Sequence, residues 1–403
     1  MNEPNPAFEC GMGELGAHFA PQAHFATGRR LTVCYPLAGD ALGGSHVSLR
    51  GLLEELDPQG YRVLVVPEKP DGNLAQFFCG FEQVCDPSPP ARSFRPGRRF
   101  GPMQAVRTLA AVRRRAAFLR AHGVDIVHTN DGRSHASWAL AARLAGVRLL
   151  WHHRGDPGAR GLRWVAPFLA HRIVAVSAFA LPRSQFGAAA GASVIHSPFD
   201  ISITADRAAM RARILEDCGA SEDTLVCGFF GAFVERKRPL AFVAAIEALG
   251  RISDRPVLGA MFGMARDPRM DARLAAAISA MRGPARVELL GWRTPGHEWL
   301  AGCDMLLVPA VDEPLGRTLV EAMLVETPVV ATCSGGNPEA LEGGCGALVA
   351  PDDANAMALS VEQLTRETQV RDAMVERARE AARQRFSKQH HAARVTATYH
   401  ALA

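Results

Sequence analysis

The sequence predicts an α/β protein built from two doubly wound parallel-sheet domains. Two observations carry that expectation. Short apolar runs bounded by turn residues alternate with helical stretches along most of the chain, the pattern of helices covering both faces of a parallel sheet. The alternation pauses once, around Ser197-Pro198-Phe199-Asp200, and then restarts. Length agrees, because 403 residues with 48% hydrophobic content suffice for two separate cores.

Residues 1–30 lack the basic-then-apolar order of a signal peptide and contain frequent Gly and Pro, so a poorly ordered extension is expected. The first domain, 31–198, should place strands at 31–35, 61–67, 125–129, 148–151 and 172–177. Leu49, Leu52, Leu53 and Leu56 follow the i, i+3, i+4, i+7 spacing of a buried helix face. The second domain, 199–380, should place strands at 225–230, 257–262, 286–290, 305–309 and 328–332. From 361 onward the pattern is helical to the end, polar and Arg-rich outside its apolar face.

A net charge of +4 with 21% charged residues excludes a disordered acidic chain and a histone-like one. Nine cysteines occur without a C-x-x-C. Cys34, Cys227, Cys303 and Cys333 lie in or beside strand-like runs, which favours reduced, buried thiols and a cytoplasmic setting over a disulfide framework. No apolar run approaches the ~20 residues of a membrane span, so a soluble or surface-attached protein is expected. Between Arg92 and Arg120 there are nine arginines and no acidic residue. Such a segment is a solvated helix face, a peripheral contact with an anionic membrane on its inner side, or a hold on a phosphorylated acceptor. Sparse aromatic interleaving argues against nucleic acid as a partner.

The chemistry concentrates where strands end. Residues 304–321 run from a buried-strand pattern through a loop to a helix start, with Glu313 and Glu321 eight apart. That places one carboxylate on the loop and the other in the first helical turn, with the N–H groups of Gly316, Arg317, Thr318 and Leu319 free for a polyhydroxyl, anionic ligand. The alternative is structural: Thr318-x-x-Glu321 is also a capping box. Gly39-Asp-Ala-Leu-Gly43-Gly44-Ser45 follows the first strand. Its glycines admit a phosphate to a helix N-terminus, although Ser45 stands where a P-loop needs Lys and a plain turn explains it equally. Gly231-Ala232-Phe-Val-Glu-Arg236-Lys237-Arg238-Pro would project a cation from a strand end, suited to a diphosphate leaving group, or else form a solvated basic turn. Trp151-His152-His153-Arg154 ends another strand, with His152 and Arg154 on one face. These are candidate acceptor or sugar contacts, or hydrogen-bonded core residues. Gly335-Gly336-Asn337-Pro338-Glu339 reads as a helix start with Asn337 as N-cap. No histidine or cysteine spacing suits a metal, there is no Asp-x-Asp, and Ser177 lacks a nucleophile elbow.

In order, these pieces resemble the family-4 retaining glycosyltransferases of GT-B fold, from about residue 31 to 400. The resemblance runs through Gly43-Gly44, Val124-Asp-Ile-Val-His128, Val174-Ala-Val-Ser177 and Ile195-His-Ser-Pro-Phe-Asp200. It continues through Gly231…Lys237, Leu289-Leu-Gly291-Trp, the Glu313/Glu321 element and Pro328-Val-Val-Ala-Thr…Glu339. It implies two Rossmann-like domains facing an interdomain cleft, with residues 381–403 expected to cross back to the first. It further implies a UDP- or GDP-linked hexose as donor, a glycan or lipid-linked acceptor, polysaccharide or glycolipid synthesis, and neither metal nor cofactor. In such enzymes the position of Glu321 contacts ribose, Glu313 lies by the donor sugar, Leu315 to Thr318 supply backbone contacts, and Lys237 and the Gly43-Gly44 pair approach the diphosphate. Arg238 and Arg236 are candidate substitutes for the arginine the family carries where this chain has Ala232. Arg154 takes the place of the family's strand-end histidine, with His152 two residues earlier. The alternative is a non-catalytic sugar-nucleotide-binding GT-B module, and a GT-B epimerase-like or phosphorylase-like enzyme is a third class.

Overall fold

Six parallel strands make the first sheet: β1 (Leu31–Leu37), β2 (Tyr61–Pro67), β3 (Ile126–Thr129), β4 (Arg148–His153), β5 (Arg172–Ala175) and β6 (Ser193–Val194). Their spatial order is β2-β1-β3-β4-β5-β6. Six more make the second: β7 (Leu225–Phe230), β8 (Val257–Phe262), β9 (Arg286–Gly291), β10 (Met305–Val308), β11 (Val329–Thr332) and β12 (Ala347–Val349), in the order β12-β11-β10-β7-β8-β9. This computed structural model describes residues 29–88, 102–159 and 166–403, with 102–105 described for the backbone alone. All but the last two residues of the expected N-terminal extension, together with Arg92, Arg95, Arg98 and Arg99, lie outside these residues. The edge strands β6 and β12 were not expected, because two or three residues carry no readable alternation.

The central strands are buried on both faces, as helix-covered parallel sheets require. Helix Gly44–Leu53 seats Leu49, Leu52 and Leu53 against Val33 and Tyr35 of β1, each burial stabilising by about 1.5–3 kcal/mol. The last helix, Lys388–Leu402, enters the same core with Val395, Tyr399 and Leu402. The helix before it, Thr368–Arg385, packs Ala378 and Ala382 with Leu319 and Met323 of the second domain. The chain therefore passes between domains twice, and the two passages run side by side. Phe199 N–H donates to the Phe386 carbonyl at 2.8 Å, and Phe199 bridges to Ser387.

The arginine segment divides. On helix Pro102–Ala121, Arg107, Arg113, Arg114 and Arg120 are exposed. Arg115 is a core residue, 3% exposed, forked onto Asp86 at 2.7 and 3.0 Å and lying over Trp138. The cysteine expectation also needs one correction. Cys34, Cys227 and Cys303 are buried, whereas Cys333 follows the end of β11 and is exposed.

Candidate active site at the interdomain cleft

In open α/β sheets a ligand crevice forms where strand order reverses, beyond the carboxyl ends of the strands. In the second sheet that point lies between β7 and β10. The loop after β7 is Gly231 to Arg238, and the loop after β10 is Pro309 to Gly316. Val311 N–H donates to the Arg236 carbonyl at 2.9 Å, and Gly336 N–H donates to the Glu313 carbonyl at 2.7 Å. Arg238 and Asp312 both sit in the left-handed region, with φ of 53° and 51°. Each costs about 1 kcal/mol or more, strain of the kind that gathers at functional loops.

These loops bring Glu313, Arg236 and Lys237 together. The Glu313 carboxylate is buried and accepts from Arg236, with Lys237 Nζ at 3.4 Å. Gly231 sits at φ +127°, a conformation other residues rarely adopt, and a Cβ there would also press on the Lys237 side chain at 3.2 Å. Arg238 turns the other way, toward Asp352 at 3.4 Å. Ala232 is half-buried and adds no charge. Arg236 therefore faces the cleft, and Arg238 is the one that does not.

The helix Arg317–Leu324 starts two residues earlier than a capping box with Thr318 as its N-cap needs. Its N-cap is Gly316, without a side-chain cap, and Glu321 lies in the second turn. Glu321 is therefore not a capping residue; its nearest cation is Arg317, at 3.7 Å. Burial pushes the Glu321 carboxyl above its ordinary range, opposed by Arg317, His297 and Lys237. Of the expected free N–H groups, that of Leu319 is taken by the Gly316 carbonyl at 3.0 Å. Those of Gly316, Arg317 and Thr318 precede it at the helix end. Leu315 is a core side chain, so only its backbone is available to a ligand.

Across the cleft lies the first-domain switch point, between β1 and β3. Gly43 caps helix Gly44–Leu53, its N–H donating to His46 Nδ1 at 3.2 Å. Gly44 is exposed, and a Cβ there would meet Arg317 Cδ at 2.9 Å. Arg317 spans the gap: it donates to Ser48 Oγ at 3.1 Å and lies 4.2 Å from the Phe199 ring centroid. Further along this wall, Arg154 donates to Ser197 Oγ at 2.9 Å and to Asn130 Oδ1 at 3.3 Å. Burial and the charge of Arg317 pull the Arg154 guanidinium down to about 9.

His152 does not reach the cleft. It is fully buried, with its Nε2 on the Ile195 carbonyl at 3.3 Å. Its ring stacks between His128 and His391, centroids 5.6 Å away on each side. Tyr399 closes this column on His128 Nδ1 at 2.5 Å and on the Tyr35 hydroxyl at 2.8 Å. Burial, joined by the charge of Arg154, holds all three imidazoles neutral. His152 is thus a core residue that carries Arg154 on its Nδ1, at 3.3 Å.

Motif reading missed several residues. Asn130 and Ser197 hold Arg154, and strand order, which marks the loop after β3, was the signal that would have found Asn130. Glu339 ties the domains together, accepting from Ala178 N–H at 2.6 Å and meeting His196 Nε2 at 2.7 Å. Asn337, expected as an N-cap, is the first helical residue and sends its amide to the Thr332 carbonyl at 3.1 Å. A cavity of about 280 Å³ opens beside Glu321, lined by Phe77, Pro198, Phe199, His297 and Arg317 among others. A larger one, about 470 Å³, lies at the starts of β7 and β10, the opposite edge from Lys237 and Glu313. Among the described residues no group of three or more His, Cys, Asp or Glu is placed to hold a metal, and no helix is long and apolar enough to cross a membrane.

Two doubly wound domains closing on such a cleft define the GT-B class. The solved structures agree at the level of fold. The chain superposes on HepE of Anabaena, crystallised with UDP and glucose, with a TM-score of 0.76, 21% identity, and 92% of this chain and all of that one covered. It superposes on a glycosyltransferase of Rickettsia africae with a TM-score of 0.74, 16% identity, and 93% and 98% covered. Residues 42–202 match the model of Glycosyltransferase Family 4, and residues 224–367 match that of Glycosyl transferases group 1. The chain belongs to the family-4 glycosyltransferases. It is 29% identical to a lipopolysaccharide core biosynthesis glycosyltransferase of Rhizobium meliloti over 168 residues, 41% of this chain and 47% of that protein. It is 30% identical to a D-inositol 3-phosphate glycosyltransferase of Streptomyces scabiei over 168 residues, 38% of this chain and 35% of that protein. The aligned stretch thus spans less than half the length of either relative.

Proposed function

We propose that the chain moves a hexose from a UDP- or GDP-linked donor to a glycan or lipid-linked acceptor in lipopolysaccharide or polysaccharide assembly, with retention and without a metal. One observation carries this: Lys237 and Arg236 converge on Glu313 at the switch point of the second sheet. Negative charge builds on the diphosphate as the sugar–phosphate bond breaks, and cations fixed there stabilise that charge more than the ground state. Glu313 orders both cations in the free protein, and in this reading it contacts the sugar end of the donor. Arg317 and Thr318 begin a helix whose N–H groups face the same space. Glu321 offers a carboxylate to the ribose hydroxyls. HepE, whose fold this chain shares, has also been crystallised with UDP-glucose, which supports the UDP-linked choice. Exposed Arg107, Arg113, Arg114 and Arg120, with Val106 and Leu109 exposed beside them, support peripheral contact with an anionic membrane.

The test is nucleoside diphosphate release from UDP-glucose, UDP-galactose, UDP-N-acetylglucosamine and GDP-mannose, with and without EDTA. Turnover of one donor that survives EDTA supports the proposal, and an α-linked product from an α-linked donor supports retention. A wild type that binds a donor yet never turns it over would leave the non-catalytic module as the better account.

A further inference from the structure

Arg154 is a cation without an anion. Its three side-chain contacts are neutral: Ser197 Oγ, Asn130 Oδ1 and His152 Nδ1. Among the described residues no carboxylate stands within ion-pair distance of it, and the charge that acts on it most is that of another cation, Arg317. The imidazoles beneath it, His152, His128 and His391, are held neutral, so they neither balance it nor repel it strongly. Its Nε is buried without an acceptor, and so is the Nδ2 of Asn130, a residue only 4% exposed. A charge without a counter-ion and two buried donors without acceptors are costly unless something fills them. The packing around them is well made: His152 supports the guanidinium from below and Ser197 fixes its edge.

The rest of the cleft does not supply that filling. Lys237 and Arg236 share Glu313, and Arg317 has Glu321 at 3.7 Å. We propose that Arg154 and Asn130, at the ends of β4 and β3, form a second anion site on the first-domain wall, apart from the diphosphate cradle at Lys237. It takes a carboxylate or phosphate carried either by the sugar being moved or by the molecule that receives it. This rests on the proposal that the cleft holds a nucleotide sugar. A guanidinium fork suits such planar or tetrahedral oxyanions, and a histidine in its place would offer a single donor and no permanent charge.

The test uses the whole chain, UDP, and inorganic phosphate as the free anion. With UDP saturating, phosphate is titrated by calorimetry. Phosphate should bind beside UDP, and Arg154→Gln and Asn130→Ala should each weaken it by about tenfold or more while UDP affinity stays within ~twofold. Replacing UDP by UDP-glucuronate or UDP-glucose locates the source. Loss of phosphate binding with UDP-glucuronate alone assigns the anion to the donor sugar, and phosphate binding beside both assigns it to the acceptor; either upholds the site. Melting temperature separates function from architecture. Removing a half-buried cation that lacks a carboxylate should leave it unchanged or raise it, and Arg154→Lys serves if Arg154→Gln fails to fold. The site is overturned if no phosphate binds beside UDP, if UDP-glucose displaces it too, or if Arg154→Gln leaves it unchanged. It is also overturned if UDP and phosphate weaken together, which would return Arg154 to the diphosphate. Should the wild type bind neither UDP nor GDP, the donor proposal fails by itself, and phosphate titrated alone with the same variants still decides the site.

Discussion

Lys237→Ala isolates the cation on which the proposed chemistry depends. The ammonium stands 3.4 Å from Glu313, and its side chain is 19% exposed. At that distance and an effective dielectric of ~20 the gross attraction is about 5 kcal/mol, most of it cancelled by desolvation of the two groups. Arg236 still holds Glu313 after the substitution, so no bare buried carboxylate is left. Stability should fall by about 1 kcal/mol or less, or ~2–4 °C in Tm for a domain of this size. Catalysis should respond far more. Losing one fixed donor to a developing negative charge costs about 2.7–4 kcal/mol, that is ~10²–10³-fold in kcat. The assay is diphosphate release from the preferred donor under single turnover, beside calorimetric binding of the diphosphate product. Arg238→Ala should be nearly silent, because that side chain turns to Asp352. Arg236→Ala should fall between the two. A folded Lys237→Ala protein that keeps kcat within ~threefold, well short of the loss expected for such a donor, would refute the assignment.

Glu321→Gln should weaken nucleotide binding about tenfold, the worth of a charge-assisted hydrogen bond, without lowering Tm at pH 7. Its folded-state pKa is raised, so ionisation destabilises the fold as pH rises from the ordinary carboxylate value through the raised one. The variant should therefore match the wild type near pH 4 and be at least as stable at pH 8; a lower Tm at pH 8 with unchanged affinity would make Glu321 structural. Breaking the buried Arg115–Asp86 fork with Arg115→Ala should cost about 3–5 kcal/mol in urea unfolding. The double change Arg113→Gln with Arg114→Gln should leave stability alone and weaken sedimentation with anionic vesicles; equal sedimentation with neutral vesicles would show a merely solvated face. His128, His152 and His391 have depressed pKa values, so the stability they allow is complete above about pH 6.5 and is lost as pH falls below it. His391→Gln should flatten the fall of Tm between pH 7 and 5, and an unchanged slope would exclude the column as its cause.

Local patterning determined much of this protein. Apolar runs with turn boundaries gave ten of the twelve strands, most of them buried on both faces and therefore apolar throughout. The loops carrying Lys237, Glu313 and Gly43 were legible because strand ends in such sheets are where ligands sit. What pattern could not decide was direction and company. Arg236 and Arg238 flank the same lysine, yet one meets Glu313 and the other Asp352, a choice made by the left-handed turn at Arg238. Thr318-x-x-Glu321 spells a capping box, but the helix begins at Arg317 and frees Glu321 for the cleft. In a run of three arginines only Arg115 turns inward, because Asp86, 29 residues earlier, waits there. His152 and Arg154 share a strand face, yet one is sealed between the rings of His128 on β3 and His391 on the last helix, and the other looks into the cleft. Each of these outcomes depends on partners far apart in the chain, brought together only when the sheets form and the C-terminal helix closes on the first domain.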